Sequence, residues 1–288
     1  MLSGSTRVAG LVGGPKQVAR SLSPAIHNAG YTALGLDWVY VGFPVEEVSP
    51  GTVAAAVRGL LAGGVAGLNV TMPHKRAAAE AMDRLEGPAG PTNAVNTVRR
   101  VDGELVGWNT DGAGLVAFLE QEAGVRVGGS AALVIGSGGS ARSVIAGLGE
   151  AGASSITVLG RDPTRATALG GLAGAASFQV AGLDSGAAAL AGVVAAADLI
   201  VNATPVGQEG EEPLVPTHAI RPDAAVVDLV YHPPETPLVV EAHRQGARAF
   251  GGLGMLVHQA ALAFEIFTGE AAPLEAMWEG ARRGGAGR

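Results

Sequence analysis

Residues Ala131–Ile135 carry no charge and run directly into Gly136-Ser137-Gly138-Gly139-Ser140-Ala141, after which an Ala-, Val- and Leu-rich stretch continues to about Ala151. A short apolar run closed by glycines and followed by a longer apolar segment reads as buried strand, tight turn and helix. In that setting G-x-G-x-x-A is the phosphate-binding turn of a doubly wound α/β sheet. The first glycine permits the turn, the second lets backbone N–H groups approach a pyrophosphate, and a small third residue allows helix and strand to pack closely. With 45 glycines in 288 residues a bare glycine pattern weighs little, and a plain glycine-rich turn is the competing reading. The flanking strand and helix give the match its weight. Gly136, Ser137, Gly138, Gly139, Ser140 and Ala141 are therefore candidate dinucleotide ligands.

Cofactor choice is read at the end of the next strand, about 20 residues on, where a carboxylate would hold the 2′-hydroxyl of NAD. The strand Ile156–Leu159 ends instead at Gly160, followed by Arg161 and, further on, Arg165. Two guanidinium groups with no carboxylate at the strand end favour a 2′-phosphate, hence NADP. Asp162 argues in the other direction and keeps NAD open.

The remaining chain alternates between strand and helix. Val8–Val12, Trp38–Phe43 and Val65–Thr71 read as strands, with helices from Ser23 to about Leu34, over Gly51–Ala62 and over residues 73–84. Alternation of this kind implies parallel pairing. Ala94–Val98 and Leu105–Trp108 flank Val101-Asp102-Gly103-Glu104, whose Asp-Gly pair signals a hairpin. Gly112–Gln121 reads as a helix, Asp198–Pro205, Ala225–Leu229 and Ala247–Phe250 as strands, and Met255–Phe267 and Leu274–Arg282 as closing helices. The residues between Gly14 and Ser21 read as a loop.

Chemistry-bearing residues concentrate in the first third. Pro73 suits the first position of a helix, which puts Lys75 in its first turn, where the positive end of the helix dipole disfavours a cation. A solvated lysine after a turn is the plain alternative. Ser23 before Pro24 makes a good helix cap, which leaves Ser21 without a structural task, and two hydroxyls at a helix start can hold a carboxylate. Asn96 and Asp111 are further candidates, although Asn96 also suits a turn and Asp111 a helix cap. Taken with Lys75 they describe a site that binds hydroxyl groups and moves a proton.

A net charge of −7 and a pI near 5.4, with 19 basic residues and no basic cluster, argue against nucleic acid or an acidic membrane as partner. The absence of cysteine removes disulfides, thiolate metal sites and cysteine nucleophiles. No apolar run approaches the ~18 residues of a membrane span, and the first residues lack the pattern of a secretion signal, so a cytoplasmic protein is expected.

Several ordered segments together resemble the shikimate dehydrogenase family. They are Ser21-Leu22-Ser23-Pro24-Ala25-Ile26-His27-Asn28, Asn69-Val70-Thr71-Met72-Pro73-His74-Lys75, Ala94-Val95-Asn96-Thr97 and Gly107-Trp108-Asn109-Thr110-Asp111-Gly112. Beyond the glycine loop come Asn202-Ala203-Thr204-Pro205-Val206-Gly207, Asp228-Leu229-Val230-Tyr231 and Gly252-Leu253-Gly254-Met255-Leu256 with Gln259. The resemblance implies a substrate-binding α/β domain of residues 1–109 with 253–288, a Rossmann-type NADP domain of residues 110–252, and an active site in the cleft between them. It implies reversible NADPH-dependent reduction of 3-dehydroshikimate to shikimate, a step toward chorismate and the aromatic amino acids, by a monomer or homodimer that needs no metal. Lys75 and Asp111 would be the catalytic pair. Ser21, Ser23 and Tyr231 would meet the substrate carboxylate, and Thr71, Lys75, Asn96, Asp111 and Gln259 its hydroxyls. Thr204 and Gly252 would join the glycine loop, Arg161 and Arg165 around the cofactor. The competing expectations are a quinate/shikimate dehydrogenase that uses NAD, an aminoshikimate dehydrogenase, and a non-catalytic NAD(P)-sensing regulator.

The chain departs from the family pattern at Arg20 in a longer loop before Ser21, at Gly160 and Asp162 around the first arginine, and at Gln208 near the expected nicotinamide position. Asn93 replaces a glycine, a change that a left-handed backbone accommodates.

Overall fold

Alternating strands and helices build two units in the computed structural model, which describes residues 2–46 and 49–286. One unit is Met1–Thr110 with Val257–Arg288, the other Asp111–Leu256.

The first unit opens with β1 (Arg7–Gly13), α1 (Pro15–Arg20), α2 (Ser23–Ala33), β2 (Trp38–Pro44), α3 (Pro50–Ala62), β3 (Gly67–Val70) and α4 (Lys75–Glu80). It continues with β4 (Arg84–Leu85), α5 (Ala89–Thr92), β5 (Thr97–Val101) and β6 (Glu104–Trp108). Its sheet has the order β2-β1-β3-β5-β6-β4. The pairs β1 with β2 and β1 with β3 are parallel, whereas β3 with β5 and β5 with β6 are antiparallel. These directions bring the ends of β1, β3 and β6 and the start of β5 to one edge, where Asn69 stands opposite Thr97 and Thr97 opposite Trp108.

Two turn readings hold at the level of backbone angles. Asp102 and Gly103 have φ of 50° and 89° between β5 and β6, and Asn93 is left-handed at φ 46°, ψ 46°. Other readings need correction. Residues 15–20 form α1, opened by Pro15, because a proline in the first turn gives up no helical hydrogen bond. The helix read over 73–84 is only Lys75–Glu80. Pro73 lies instead in a turn in which the His74 N–H donates to the Thr71 carbonyl at 3.0 Å, and beyond Ala81 the chain turns into β4.

The second unit contains α6 (Asp111–Gln121), β7 (Ala131–Ile135), α7 (Gly139–Glu150), β8 (Ser155–Gly160), α8 (Pro163–Thr167), β9 (Ser177–Gly182) and α9 (Ala187–Ala195). It closes with β10 (Leu199–Asn202), β11 (Ala225–Asp228), α10 (Pro237–Arg244) and β12 (Arg248–Phe250). All six strands are parallel, in the order β12-β11-β10-β7-β8-β9. This is the doubly wound arrangement, with its topological switch between β7 and β10. Helix α6 crosses α7 so closely that a Cβ at Gly112 would sit 2.2 Å from the Ser143 carbonyl oxygen.

Two helices end the chain, α11 (Leu253–Thr268) and α12 (Leu274–Ala286). Among the described residues no helix is long and apolar enough to cross a membrane.

In the first unit, α2, β2 and α11 contribute to one aromatic cluster. Fully buried His27 stacks on Tyr40 with ring centroids 4.3 Å apart and is flanked by Tyr31, Phe264 and Phe267. Burial lowers the His27 imidazole from 6.5 to about 3, opposed in part by Asn69. The folded state holds this ring neutral while the unfolded chain protonates it near its ordinary value. The stability tied to the neutral ring is thus complete above pH 6.5 and drains away as the pH falls toward about 3. His27→Phe should flatten the acid limb of the stability curve measured by urea unfolding between pH 7 and 4. An unchanged acid limb would locate the sensitivity elsewhere.

Candidate active site

The edge of the first sheet where β3 ends and β5 begins carries a buried polar network. Tyr40 Oη donates to Asn69 Oδ1 at 2.8 Å, and Asn69 Nδ2 donates to the Asn96 carbonyl and to Thr97 Oγ1, both at 3.1 Å. Asn96 Oδ1 accepts from Thr97 Oγ1 at 3.0 Å and from the Thr110 N–H at 2.9 Å. Its Nδ2 donates to Thr110 Oγ1 at 2.9 Å and to Gln259 Oε1 at 3.4 Å. Thr110 Oγ1 completes the circuit by donating to the Gln259 carbonyl at 3.1 Å. Asn69, Asn96, Thr97 and Thr110 are all buried, and Gln259 is 9% exposed on α11.

The structure therefore joins Asn96 and Gln259 directly. Asn109, buried beside them, anchors the exit of β6 by donating to Thr92 Oγ1 and the Ala94 carbonyl. Lys75 is the first residue of α4, and its carbonyl accepts from the Val95 N–H at 2.9 Å, one residue before Asn96. Thr71 follows β3, its N–H bonded to the Val12 carbonyl at 2.9 Å. Ser21 and Ser23 are joined by a bond from the Ser23 N–H to Ser21 Oγ at 3.1 Å. This corrects the sequence reading of the two serines: Ser23 is the first residue of α2 and makes no cap bond, while Ser21 satisfies a backbone donor at the helix start.

The second unit contains Asp111, buried at the start of α6, and Tyr231, half-buried after β11. It also holds every residue of the cofactor set. Gly136 has φ 111°, a conformation an L side chain rarely adopts, and a Cβ there would lie 2.9 Å from Thr204 Cγ2. Gly138 caps α7 without a side-chain bond, and a Cβ at Gly138 or Gly139 would meet nothing within 4 Å. An open approach to the first N–H groups of a twelve-residue helix suits a pyrophosphate. Ser137 and Ser140 lie in the same loop and first turn, and Ala141 is buried in the core.

Arg161 and Arg165 are exposed at the end of β8 and in α8, and neither forms an ion pair among the described residues. Asp162 Oδ1 accepts the Arg165 N–H at 3.1 Å as the cap of α8, which gives the dissenting carboxylate a helix-capping role. Two unpaired guanidinium groups beside an open glycine loop fit a dinucleotide with a phosphate on its adenosine ribose. Gly252 donates its N–H to the Val230 carbonyl at 3.0 Å.

The profile described as shikimate dehydrogenase substrate binding domain matches residues 11–98, and that described as shikimate 5′-dehydrogenase C-terminal domain matches residues 252–281. A shikimate dehydrogenase (NADP(+)) of Methanothermobacter thermautotrophicus is 41% identical over 287 residues, covering 98% of either chain. The chain belongs to the shikimate dehydrogenase family.

Solved members of the shikimate dehydrogenase family carry the same fold. The enzyme of Listeria monocytogenes in complex with shikimate and NAD superposes with a TM-score of 0.89 at 32% identity, over 96% of this chain and 97% of that one. The Thermus thermophilus enzyme in complex with NADP(H) and shikimate gives 0.83 at 36% identity, over 96% and 99%.

Sequence reasoning misses Asn69, Thr97 and Thr110 as members of the polar edge. A polar amide inside the apolar run Gly67–Val70 is the available signal for Asn69. Thr110→Val keeps the side-chain shape but removes both the acceptor for Asn96 and the donor to Gln259. Leaving those groups unsatisfied should cost about 1–3 kcal/mol in urea unfolding. A variant as stable as the parent would mean that Thr110 is not part of the frame.

Proposed function

We propose that this chain catalyses the reversible interconversion of 3-dehydroshikimate and shikimate with NADP(H). It is an oxidoreductase acting on a CH–OH group. The observation that carries the reading is 41% identity, over 98% of the chain, to a shikimate dehydrogenase (NADP(+)).

When bound, NADPH supplies the hydride that reduces the substrate ketone; the protein orients the reactants and handles the proton. Lys75 Nζ donates a proton to the ketone oxygen in reduction and takes the hydroxyl proton in oxidation. Asp111 keeps the hydroxyl and the ammonium group in register. Gln259 presents its amide to the ring hydroxyls together with Thr71, and Asn96 joins them by releasing its long 3.4 Å bond to Gln259 Oε1. The Ser21 and Ser23 hydroxyls, with Tyr231, receive the carboxylate. Ser21 Oγ accepts the Ser23 N–H at the start of α2, which sets the two hydroxyls side by side.

On the cofactor side, Gly136–Ala141 cradle the pyrophosphate and Arg161 and Arg165 meet the 2′-phosphate, while Thr204 and Gly252 line the remaining path. Residues 1–109 with 253–288 act as the substrate-binding domain and 110–252 as the NADP domain. A cytoplasmic location and a monomer or homodimer belong to the same proposal.

Initial rates for shikimate and quinate, each with NADP⁺ and NAD⁺, test the reading. Shikimate with NADP⁺ should give the highest kcat/KM of the four pairs. A higher value for any other pair would displace it, and NADPH binding without turnover on any substrate would make the chain a cofactor-sensing regulator.

A further inference from the structure

The second unit contains a completely buried carboxylate that takes no part in the proton chemistry. Asp228 ends β11, a strand otherwise made of Ala225, Val226 and Val227, and none of its surface is exposed. Its Oδ1 accepts from Asn202 Nδ2 at 2.9 Å and from the Val230 N–H at 3.0 Å, and its Oδ2 accepts from Thr236 Oγ1 at 2.7 Å. Burial raises the carboxyl above its ordinary value, and the hydrogen bonds from Thr236, Val230 and Asn202 oppose that shift.

What Asp228 holds is the turn after β10. Asn202 uses both amide protons, one on Asp228 and the other on the Val206 carbonyl at 3.1 Å. Its Oδ1 accepts from the Thr204 N–H at 3.1 Å and from Thr204 Oγ1 at 2.7 Å, and Thr204 Oγ1 in turn accepts from the Val206 N–H at 3.2 Å. Every polar group of the Asn202 side chain is engaged in shaping residues 202–206. That turn abuts the first glycine of the phosphate loop, where a Cβ at Gly136 would lie 2.9 Å from Thr204 Cγ2 and 3.3 Å from the Ala203 carbonyl oxygen. The two segments follow neighbouring parallel strands, β7 and β10, at the switch point of the sheet.

We propose that Asp228 is a positioning residue for the dinucleotide: acting through Asn202, it fixes the 202–206 turn against the glycine loop and so sets the wall along which the cofactor lies. This rests on the assignment of the glycine loop as the NADP site. The required chemistry is an acceptor oxygen, not a charge. An asparagine at this position offers its carbonyl oxygen to Asn202 and Val230 and its amide to Thr236 Oγ1, whereas alanine orphans the donors.

The test compares Asp228→Ala with Asp228→Asn. In D228A the KM for NADP⁺ should rise about 10- to 100-fold through misplacement of the turn, while the KM for shikimate stays near the parent value. D228N should restore most of the cofactor KM. An unchanged cofactor KM in D228A would overturn the proposal, as would an equal rise in both KM values or a D228N variant as impaired as D228A. If D228A yields no folded protein, amide exchange of the unmodified protein decides. NADPH should slow exchange at Thr204, Val206 and Val230 together with the glycine loop, and protection confined to Gly138–Arg142 overturns the proposal. Failure of the parent protein to bind NADPH at all would instead remove the cofactor assignment beneath it.

Discussion

Asn96 commits its side-chain carbonyl oxygen to the backbone of Thr110 and its amide protons to the side chains of Thr110 and Gln259. One buried amide thereby ties together the entrance of β5, the exit of β6 and α11, elements that are far apart in sequence. The next residue after Thr110 is Asp111, the proposed catalytic carboxylate. Buried polar groups add little net stability when all are satisfied, yet each one orphaned costs about 1–3 kcal/mol. Such a network is better suited to defining one arrangement than to adding strength.

The second unit repeats the device with different residues. Asn202 and Asp228 shape the turn after β10 as Asn96 and Thr110 shape the strand ends in the first unit. In both places a buried asparagine beside a strand end has its side-chain amide fully engaged, with distant residues in the first unit and with the local backbone in the second. Strands of this kind supply rigidity, and the loops at their carboxyl ends supply the chemistry.

The parts of this architecture legible in the sequence are those governed by local chemistry. Ala131–Ile135 with its glycine loop, the Asp102–Gly103 turn and the left-handed Asn93 each follow from backbone requirements that few residue types meet. Elements without such a signature are not legible. Ala187–Ala195 is almost all alanine, glycine and valine, with no polar face to mark a helical period, and Ser177–Gly182 is a partly exposed edge strand. Pro73 is misread because a proline suits a turn as well as a helix start. The site is legible as a set of residues through the family resemblance. Its supporting frame is not, because Asn69, Thr110 and Asn202 acquire partners only once the strands are in register.

The central claim is that Lys75 carries the proton in an NADP-dependent reaction on shikimate. Steady-state turnover of Lys75→Ala, measured alongside its dissociation constant for NADPH, tests this most directly. Loss of the acid–base group should lower kcat by about 10²- to 10⁴-fold and leave the NADPH constant essentially unchanged. A Lys75→Ala enzyme that turns over at the parent rate would contradict the account.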